Sequence, residues 1–227
     1  VKSILDGECD TAIAGGINLM LAPDATILLS QFGMMADDGR CKTFDHSANG
    51  YVRSEGCGMV VLRRSEFALE NRDSILAWIL GSWQGQDGRS NGITSPNPEA
   101  QKQLLLNTLR KAQVNPSDVT YIEAHGTGTK VGDPVEMEQL NAVYGLDVKK
   151  RCYVGSVKAN IGHLEAAAGV AGLIKLILAM QHKKVPGQIH LNKLNADIDL
   201  SQSRFYIPTV ETDWKAPDSK RLAAISS

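Results

Sequence analysis

Two short apolar runs, each leading to a histidine, constrain this chain more than any other feature. The first run, 119–124, ends directly before His125, and the second, 152–157, is followed shortly by His163. Short apolar runs bounded by polar or glycine-rich segments predict buried strands. In an α/β protein, strand ends meet in one crevice while helices cover the faces of the sheet. Both imidazoles are therefore expected at one site.

The surrounding segments predict a layered α/β arrangement. Apolar residues recur with helical spacing in 99–112. A helix is also expected over 133–144, and a long, central and buried one over 164–181, whose first half is rich in alanine and glycine. Together with the two strands, the order from residue 99 to 182 is helix, strand, helix, strand, helix.

The rest of the chain is expected to be less regular. Residues 1–7 are predicted to form the end of a helix, and residues 17–55 and 85–98 to be loops. Further elements are predicted at a buried strand 11–14 ending in two glycines, an antiparallel strand pair 58–64 and 75–83 linked by a helix 65–71, and strands 205–207 and 222–225.

Composition excludes several classes of protein. The formal charge of −1 and the absence of a basic stripe argue against nucleic acid as a partner. The four cysteines form no CxxC pair, which argues against a zinc site or a disulfide framework and fits a reducing, cytoplasmic compartment. The longest apolar stretch, 166–180, contains Lys175 and is too short to span a bilayer comfortably, so no membrane is expected. Because the sequence begins without Met and ends on an apolar strand, we expect a piece of a longer polypeptide.

The loop after His125 is glycine-rich, and two other interpretations compete with a catalytic site there. A plain turn with one structurally satisfied histidine remains open. Elsewhere in the chain, Cys57 is a disfavoured candidate nucleophile, because no helix N-terminus follows it to lower its pKa. A phosphate-binding loop is disfavoured because the spacing is GxGxxxG and because Asp133 and Glu136 already place carboxylates at the start of the next helix. We expect Asp133 to cap that helix and Glu136 to complete a capping box, with a second contact of Glu136 toward the histidine loop.

His163 is the more informative histidine. Gly162 permits a close backbone approach, and a helix is expected to begin at the next residue, so that its positive end would disfavour the imidazolium. Lys158 would act in the same direction, unless it is an ordinary surface lysine. A neutral imidazole donates a hydrogen bond from Nε2 without releasing a proton. Two such rings and an ammonium suit the stabilisation of negative charge on a carbonyl oxygen.

At these residues the chain resembles the β-ketoacyl synthase family, and particularly the ketosynthase domains of modular type I polyketide synthases. The resemblance runs in order along nearly the whole chain. The matching motifs are Ala14-Gly-Gly-Ile-Asn18, Cys41-Lys-Thr-Phe-Asp45, Gly50-Tyr-Val-Arg-Ser-Glu-Gly56, Glu123-Ala-His-Gly-Thr-Gly-Thr129, Gly132-Asp-Pro-Val-Glu136 and Gly155-Ser-Val-Lys-Ala-Asn-Ile-Gly-His-Leu-Glu-Ala-Ala-Ala-Gly169.

The resemblance implies a thiolase-like fold of two similar α/β halves. Residues 1–98 would be the end of an incomplete N-terminal half, and residues 99–227 most of the C-terminal half. It also implies a homodimer that works with an acyl carrier protein and a neighbouring acyltransferase domain. No cofactor would be bound, since the substrates travel on the 4'-phosphopantetheine arm of the carrier protein.

The implied reaction is a decarboxylative Claisen condensation. His125 and His163 would stabilise the enolate formed when malonyl-carrier protein loses carbon dioxide, and Lys158 would hold His163 and the local field. The remaining polar residues of these motifs would support them, namely Glu136, Thr127, Thr129 and Asn160.

The sequence departs from the family pattern in two places. The family's Asp-Thr-Ala-Cys nucleophile motif does not occur in the 227 residues, and neither does the glycine-rich segment with a phenylalanine gate. We therefore expect this polypeptide alone not to condense substrates. A fatty-acid-type synthase and a non-condensing scaffold domain stay open as alternatives. A thiolase is disfavoured because no cysteine follows Cys152, and a nucleotide-dependent oxidoreductase because of the carboxylates near His125.

Overall fold

A computed structural model describes residues 1–88, 97–215 and 220–227. Strands and helices, most of them short, are interspersed along the described chain. In chain order these are α1 Lys2–Leu5, β1 Thr11–Asn18, α2 Asp24–Gln31, β2 Gly56–Arg63, α3 Ser65–Glu70, α4 Pro98–Ala112, β3 Tyr121–Glu123, α5 Gly132–Tyr144, β4 Cys152–Gly155, α6 Lys158–Ile161, α7 Ala168–His182, β5 Lys184–Val185, β6 Phe205–Tyr206, β7 Thr212–Asp213 and β8 Ala223–Ile225.

The centre of the fold is a four-stranded parallel sheet with the order β6-β4-β3-β8. Every residue of β3 and β4 is buried, as expected for strands covered on both faces. The larger apolar cluster joins β3 and β4 to α4 and α5, and a second cluster joins them to α7 and Trp214. Helices thus cover both faces, and the predicted α/β layering is confirmed.

A second sheet consists of β1 and β2, which pair antiparallel from Thr11 with Arg63 to Asn18 with Gly56. One face of this pair lies on α7, where Val170 and Ile174 approach Gly58 so closely that a Cβ there would lie 2.8 Å from the valine. Because α7 also contacts the central sheet, this helix lies between the two sheets. Its alanines and glycines permit this close packing, as the sequence indicated.

The structure corrects several predictions in the first part of the chain. The strand predicted over 11–14 continues through both glycines to Asn18 and is not buried. The partner of β2 is β1 and not 75–83, which is no strand; its Gly81 instead lies against Ala112 of α4. The segment contacts that helix without backbone pairing, and most of its large apolar side chains are about half exposed. Helix α2 lies in a region predicted to be loop, and the predicted loop 85–98 falls partly outside the described residues.

Helix boundaries near the two histidines also differ from the prediction. The long helix predicted to begin at Leu164 begins at Ala168, after a 3-10 turn over Glu165–Ala167. The short helix α6 precedes His163 and was not predicted. Helices α3 and α4 lie close to where periodicity placed them, and Asn97 caps α4 by accepting a hydrogen bond from the amide of Ala100.

Candidate active site

The two histidines come together at the carboxyl edge of the central sheet. His125 follows β3, and His163 follows β4 and α6. The two strands are parallel neighbours, so the segments that follow them leave the sheet at the same edge. The imidazole ring centroids lie 5.4 Å apart with an interplanar angle of 84°. The sequence-based expectation that the two rings share one site is met by this geometry.

The backbone around His163 is tied to the segment that precedes β2. The amide of His163 donates to the carbonyl oxygen of Val52 at 2.7 Å, and the amide of Ser54 donates to the carbonyl oxygen of His163 at 3.0 Å. Gly162 has a φ of +76°, and a Cβ there would lie 2.8 Å from the Cβ of Ser54. Only glycine satisfies both conditions without strain, so this contact depends on Gly162.

The side chain of His163 is held in one tautomer by its neighbour. The backbone amide of Glu165 donates a hydrogen bond of 2.9 Å to Nδ1 of His163. An amide N–H can only donate, so Nδ1 carries no proton and Nε2 of the neutral ring is the donor. His163 is therefore prepared to donate a hydrogen bond from Nε2 to a substrate oxygen. Among the described residues, Nδ1 of His125 is buried without a hydrogen-bond partner.

The glycine-rich loop after His125 packs against the segment 41–50. The hydroxyl of Thr43 donates to the carbonyl oxygen of Gly126 at 2.7 Å, and the amide of Gly50 donates to that of Gly128 at 3.1 Å. Gly126 and Gly128 have φ values of +43° and +82°, and a Cβ on either would lie within 2.8 Å of this segment. The glycines thus serve a close approach of two chain segments, a role that differs from phosphate binding.

The capping box predicted for α5 is wrong. Val131 occupies the N-cap position, and no side chain caps the helix. The two oxygens of Glu136 instead accept from the amides of His125 and Gly126 at 2.7 and 2.8 Å. Of the two contacts expected of Glu136, the structure shows the one to the histidine loop.

Asp133 joins the same loop to the segment 41–50. Its carboxylate accepts from the amides of Phe44 at 2.8 Å and Gly128 at 3.1 Å. Burial raises the pKa of Asp133 to about 6 and that of Glu136 to about 7, although these hydrogen bonds oppose the shift. The carboxyl groups of Asp133 and Glu136 are thus buried and hold the loop after His125 through hydrogen bonds to its backbone amides.

Lys158 is buried, with 3% of its surface exposed, so the interpretation as a surface lysine is wrong. Burial lowers the pKa of its ammonium group, while the carboxylates of Glu136, Glu123 and Asp133 act in the opposite direction. The charge of Lys158 in turn lowers the pKa values of both histidines. Lys158 is thus the cation whose charge lowers the pKa of both imidazoles.

Both histidines are held neutral near pH 7. Burial, followed by the charge of Lys158, lowers the pKa of His125 to about 3 and that of His163 to about 4. The neutral state was predicted, but the cause was partly wrong. The long helix begins only at Ala168, five positions after His163, and its dipole falls off within the first turn.

The remaining candidate residues lie at different distances from this centre. Thr127 is buried and its hydroxyl lies 3.4 Å from that of Thr129, which accepts from the amide of Gly132 at 3.2 Å. These threonines shape the loop. Asn160 is exposed on α6, and within the described residues its side chain joins no hydrogen bond of the site. Cys57 is exposed on β2.

Sequence reasoning missed two groups that support the site. Glu123, at the end of β3, is buried and accepts from the amide of Val157 at 2.6 Å, the hydroxyl of Tyr121 and the ammonium of Lys175, both at 2.7 Å. It anchors the turn that leads from β4 to Lys158. A charged residue at the end of a buried strand, two positions before His125, was the sequence feature that could have indicated this role. The other group is the ion pair of Arg53 with Glu165, for which no local pattern gave a signal.

Neither a metal site nor a membrane span is found in the described part of the chain. Within residues 1–88, 97–215 and 220–227, no group of three or more His, Cys, Asp or Glu side chains could hold a metal ion. No helix in the same ranges is long and apolar enough to cross a bilayer.

Comparison with solved structures defines the class of fold. The ketosynthase from module 6 of the bacillaene synthase of Bacillus subtilis 168 matches with a TM-score of 0.94 and 39% identity, over 99% of this chain and 40% of that chain. An oxazolomycin ketosynthase domain from Streptomyces albus JA3453 matches with a TM-score of 0.94 and 38% identity, over the same shares. The fold is the thiolase-like α/β fold.

The sequence comparisons define the family. Residues 1–68 match the N-terminal domain of beta-ketoacyl synthases, and residues 76–192 match the C-terminal domain. Two polypeptides of the phenolphthiocerol/phthiocerol polyketide synthase of Mycobacterium tuberculosis H37Rv are 48% and 47% identical, each over 97% of this chain. The chain belongs to the β-ketoacyl synthase family, and within it to the ketosynthase domains of polyketide synthases. It spans only 12% and 14% of the lengths of these two relatives.

Proposed function

We propose that His125, His163 and Lys158 provide the decarboxylation half of a ketosynthase active site in polyketide chain extension. The observation that carries the proposal is the pair of neutral, partly buried imidazoles that lie together at the end of the central sheet. Such donors bind a developing oxyanion more strongly than the carbonyl from which it forms. The substrate would be a malonyl-type thioester.

The proposed step moves electrons without a net transfer of protons from the enzyme. The bond between the carboxylate carbon and the α-carbon of the malonyl group breaks, carbon dioxide leaves, and the electron pair forms an enolate. Nε2 of His163 donates to the enolate oxygen, because Nδ1 is occupied by the amide of Glu165. His125 would supply the second donor, and the buried Lys158 would keep both rings neutral.

Condensation requires an acylated nucleophile that these 227 residues do not supply. They contain no Asp-Thr-Ala-Cys run. The enolate carbon would attack an acyl thioester on a cysteine elsewhere in the complete enzyme, forming a carbon–carbon bond and releasing the cysteine thiolate. We propose that the acyl groups arrive on the phosphopantetheine arm of an acyl carrier protein. The neighbouring acyltransferase domain and the homodimer belong to the same proposal.

The domain organisation and the compartment complete the proposal. Residues 1–98 would end the N-terminal half of the thiolase-like fold, and residues 99–227 would form most of the C-terminal half. The parallel sheet formed entirely by residues after 99 supports this division. All four cysteines are unpaired, which supports a reducing, cytoplasmic compartment.

The test is decarboxylation of a malonyl thioester by the native polypeptide that carries these residues. We expect His125→Gln and His163→Gln each to lower kcat by roughly 10²–10³-fold, the range for loss of one oxyanion donor. His182→Gln, at the far end of α7, is the matched control and should leave kcat unchanged. Wild-type protein that releases no carbon dioxide would point to the scaffold interpretation instead.

A further inference from the structure

Arg53 and Glu165 form a two-fold ion pair immediately beside His163. Nε of Arg53 donates to Oε1 of Glu165 at 2.6 Å, and a terminal nitrogen of Arg53 donates to Oε2 at 3.0 Å. The side chains are 9% and 29% exposed, so the pair is largely removed from solvent. A parallel, two-point contact of this kind fixes direction as well as distance.

The same two residues bracket His163 through their backbones. Arg53 forms a β-bridge with His163, and its neighbours Val52 and Ser54 make the two backbone hydrogen bonds to that histidine. On the other side, the amide of Glu165 donates to Nδ1 of His163. The ion pair therefore closes a ring of contacts around the imidazole, from residue 53 through His163 to residue 165.

Glu165 adopts a backbone conformation that needs support. Its φ is +46°, in the left-handed region that residues other than glycine seldom occupy. A non-glycine residue persists there when the surrounding structure over-determines it. The amide direction that serves Nδ1 depends on this conformation, and the two-point contact of the side chain with Arg53 helps to hold it.

Arg53 is itself anchored on the side away from Glu165. Its other terminal nitrogen donates to the hydroxyl of Thr26 in α2 at 2.9 Å. All three nitrogens of the guanidinium are thus used, two on the carboxylate and one on a separate helix. This anchorage makes Arg53 a fixed reference point against which Glu165, and through it His163, is oriented.

We infer that the Arg53–Glu165 ion pair is a positioning device that keeps the Glu165 amide on Nδ1 of His163, and thereby keeps the proton of His163 on Nε2. The inference rests on the proposed function for its catalytic consequence. Neither residue touches the substrate in this scheme, so both act through His163. An ion pair that only joined two parts of the fold would affect stability without affecting the imidazole.

The test uses Arg53→Gln, Arg53→Lys and Glu165→Gln in the native polypeptide. We expect the glutamine variants to lower kcat for malonyl-thioester decarboxylation by about 10–100-fold, since small misplacements of a positioned group cost up to about 100-fold. KM should change less than about two-fold, because binding elsewhere is untouched. Arg53→Lys should recover only part of the loss, since an ammonium cannot make the two-point contact.

The matched control is Arg63→Gln, which removes another arginine–carboxylate ion pair. A terminal nitrogen of Arg63 contacts Asp73 at 2.9 Å at the opposite end of β2 from the histidines. Its kcat should equal that of the wild type. A crystal structure of Arg53→Gln should show the distance from the Glu165 amide to Nδ1 lengthened beyond roughly 3.5 Å, where a hydrogen bond no longer holds.

Two results would overturn the inference. One is a crystal structure of Arg53→Gln in which the contact of 2.9 Å to Nδ1 is intact. The other is a kcat loss in Arg63→Gln equal to that in Arg53→Gln, which would indicate a general effect on stability. If Arg53→Gln does not fold, Arg53→Lys and Glu165→Gln decide by the same measurements. If the wild type lacks decarboxylase activity, the proposed function fails, while the crystallographic comparison still tests the positioning.

Discussion

Glu136 holds His125 by the backbone: its Oε1 accepts the amide hydrogen of His125 at 2.7 Å. Its other oxygen accepts from the next amide, that of Gly126, at 2.8 Å. One carboxylate thus fixes both peptide units from which the imidazole of His125 projects. The contact crosses from α5 back to the end of β3, so it links the helix to the proposed oxyanion site.

Replacing Glu136 should therefore misplace His125. In Glu136→Gln one of the two amides faces an NH₂ group, and a buried amide without a partner costs about 1–3 kcal/mol. We expect a lower thermal midpoint and a lower kcat for decarboxylation, with Glu136→Ala worse than Glu136→Gln. Glu138→Gln, on an exposed position of the same helix, is the control and should match the wild type. Unchanged kcat in Glu136→Ala would contradict this role.

Gly162→Ala should damage the site through its Cβ and not only through its φ. A Cβ at Gly162 would lie 2.8 Å from that of Ser54, on the strand-like contact that holds His163. Gly39→Ala is a matched control, because Gly39 has a φ of +69° with nothing within 4 Å of an added Cβ. The control should lose about 1–2 kcal/mol, the cost of a left-handed residue. Gly162→Ala should lose more and also lose decarboxylation; equal losses of stability would contradict the close-contact explanation.

Sequence alone was sufficient for the residues whose local chemistry decides their placement. The strands before His125 and Lys158 were predictable because a short apolar run between polar segments has few alternatives. The convergence of the two histidines followed from parallel strands ending at one edge of the sheet. The neutral state of the rings was predicted with one correct cause, the charge of Lys158, whereas burial, the larger cause, was not part of the argument.

Contacts between distant segments were beyond such reasoning. Glu136 fits a capping box by spacing alone, and its true partners are set by how the loop after His125 folds back over the start of α5. The pairing of Arg53 with Glu165 joins residues 112 positions apart. Residues 75–83 have a strand-like composition but form no strand, and most of their large apolar side chains are about half exposed. Local periodicity does not show whether such a run finds a strand to pair with.

Lys158 should matter through its charge. It is buried, and its ammonium group lowers the pKa values of His125 and His163. In Lys158→Met this effect disappears while side-chain volume is roughly kept, and the carboxylate of Glu136 loses an opposing charge, whereas Glu123 keeps its ion pair with Lys175. We expect a lower kcat, and titration of both imidazoles closer to their ordinary value of 6.5. Wild-type kcat in Lys158→Met would refute the assigned role.

The pH profile of decarboxylation provides the sharpest check of the neutral pair. The folded protein lowers the pKa values of the two histidines to about 3 and 4, against 6.5 in the unfolded chain. The unfolded chain therefore binds more protons between these values, and the stability contributed by the neutral rings, complete above pH 6.5, is lost as the pH falls toward 4. Activity should not decline near pH 6.5 on account of the histidines.

Glu136 also titrates within the pH range of this profile, and the variant Glu136→Gln separates its effect from that of the histidines. Burial raises its pKa to about 7 from 4.5, so its protonation contributes stability that is complete below pH 4.5 and lost as the pH rises through about 7. A change in rate near pH 7 that disappears in Glu136→Gln would therefore belong to Glu136, whereas a change that persists there would belong to another group, such as Asp133, whose pKa is raised to about 6. The measurement is kcat/KM for decarboxylation from pH 5 to 8 in both proteins, with folding checked by circular dichroism at each pH. An inflection near pH 6.5 that persists in Glu136→Gln, and that shifts in His163→Gln, would show that the imidazole titrates normally and would remove the basis of the proposed oxyanion site.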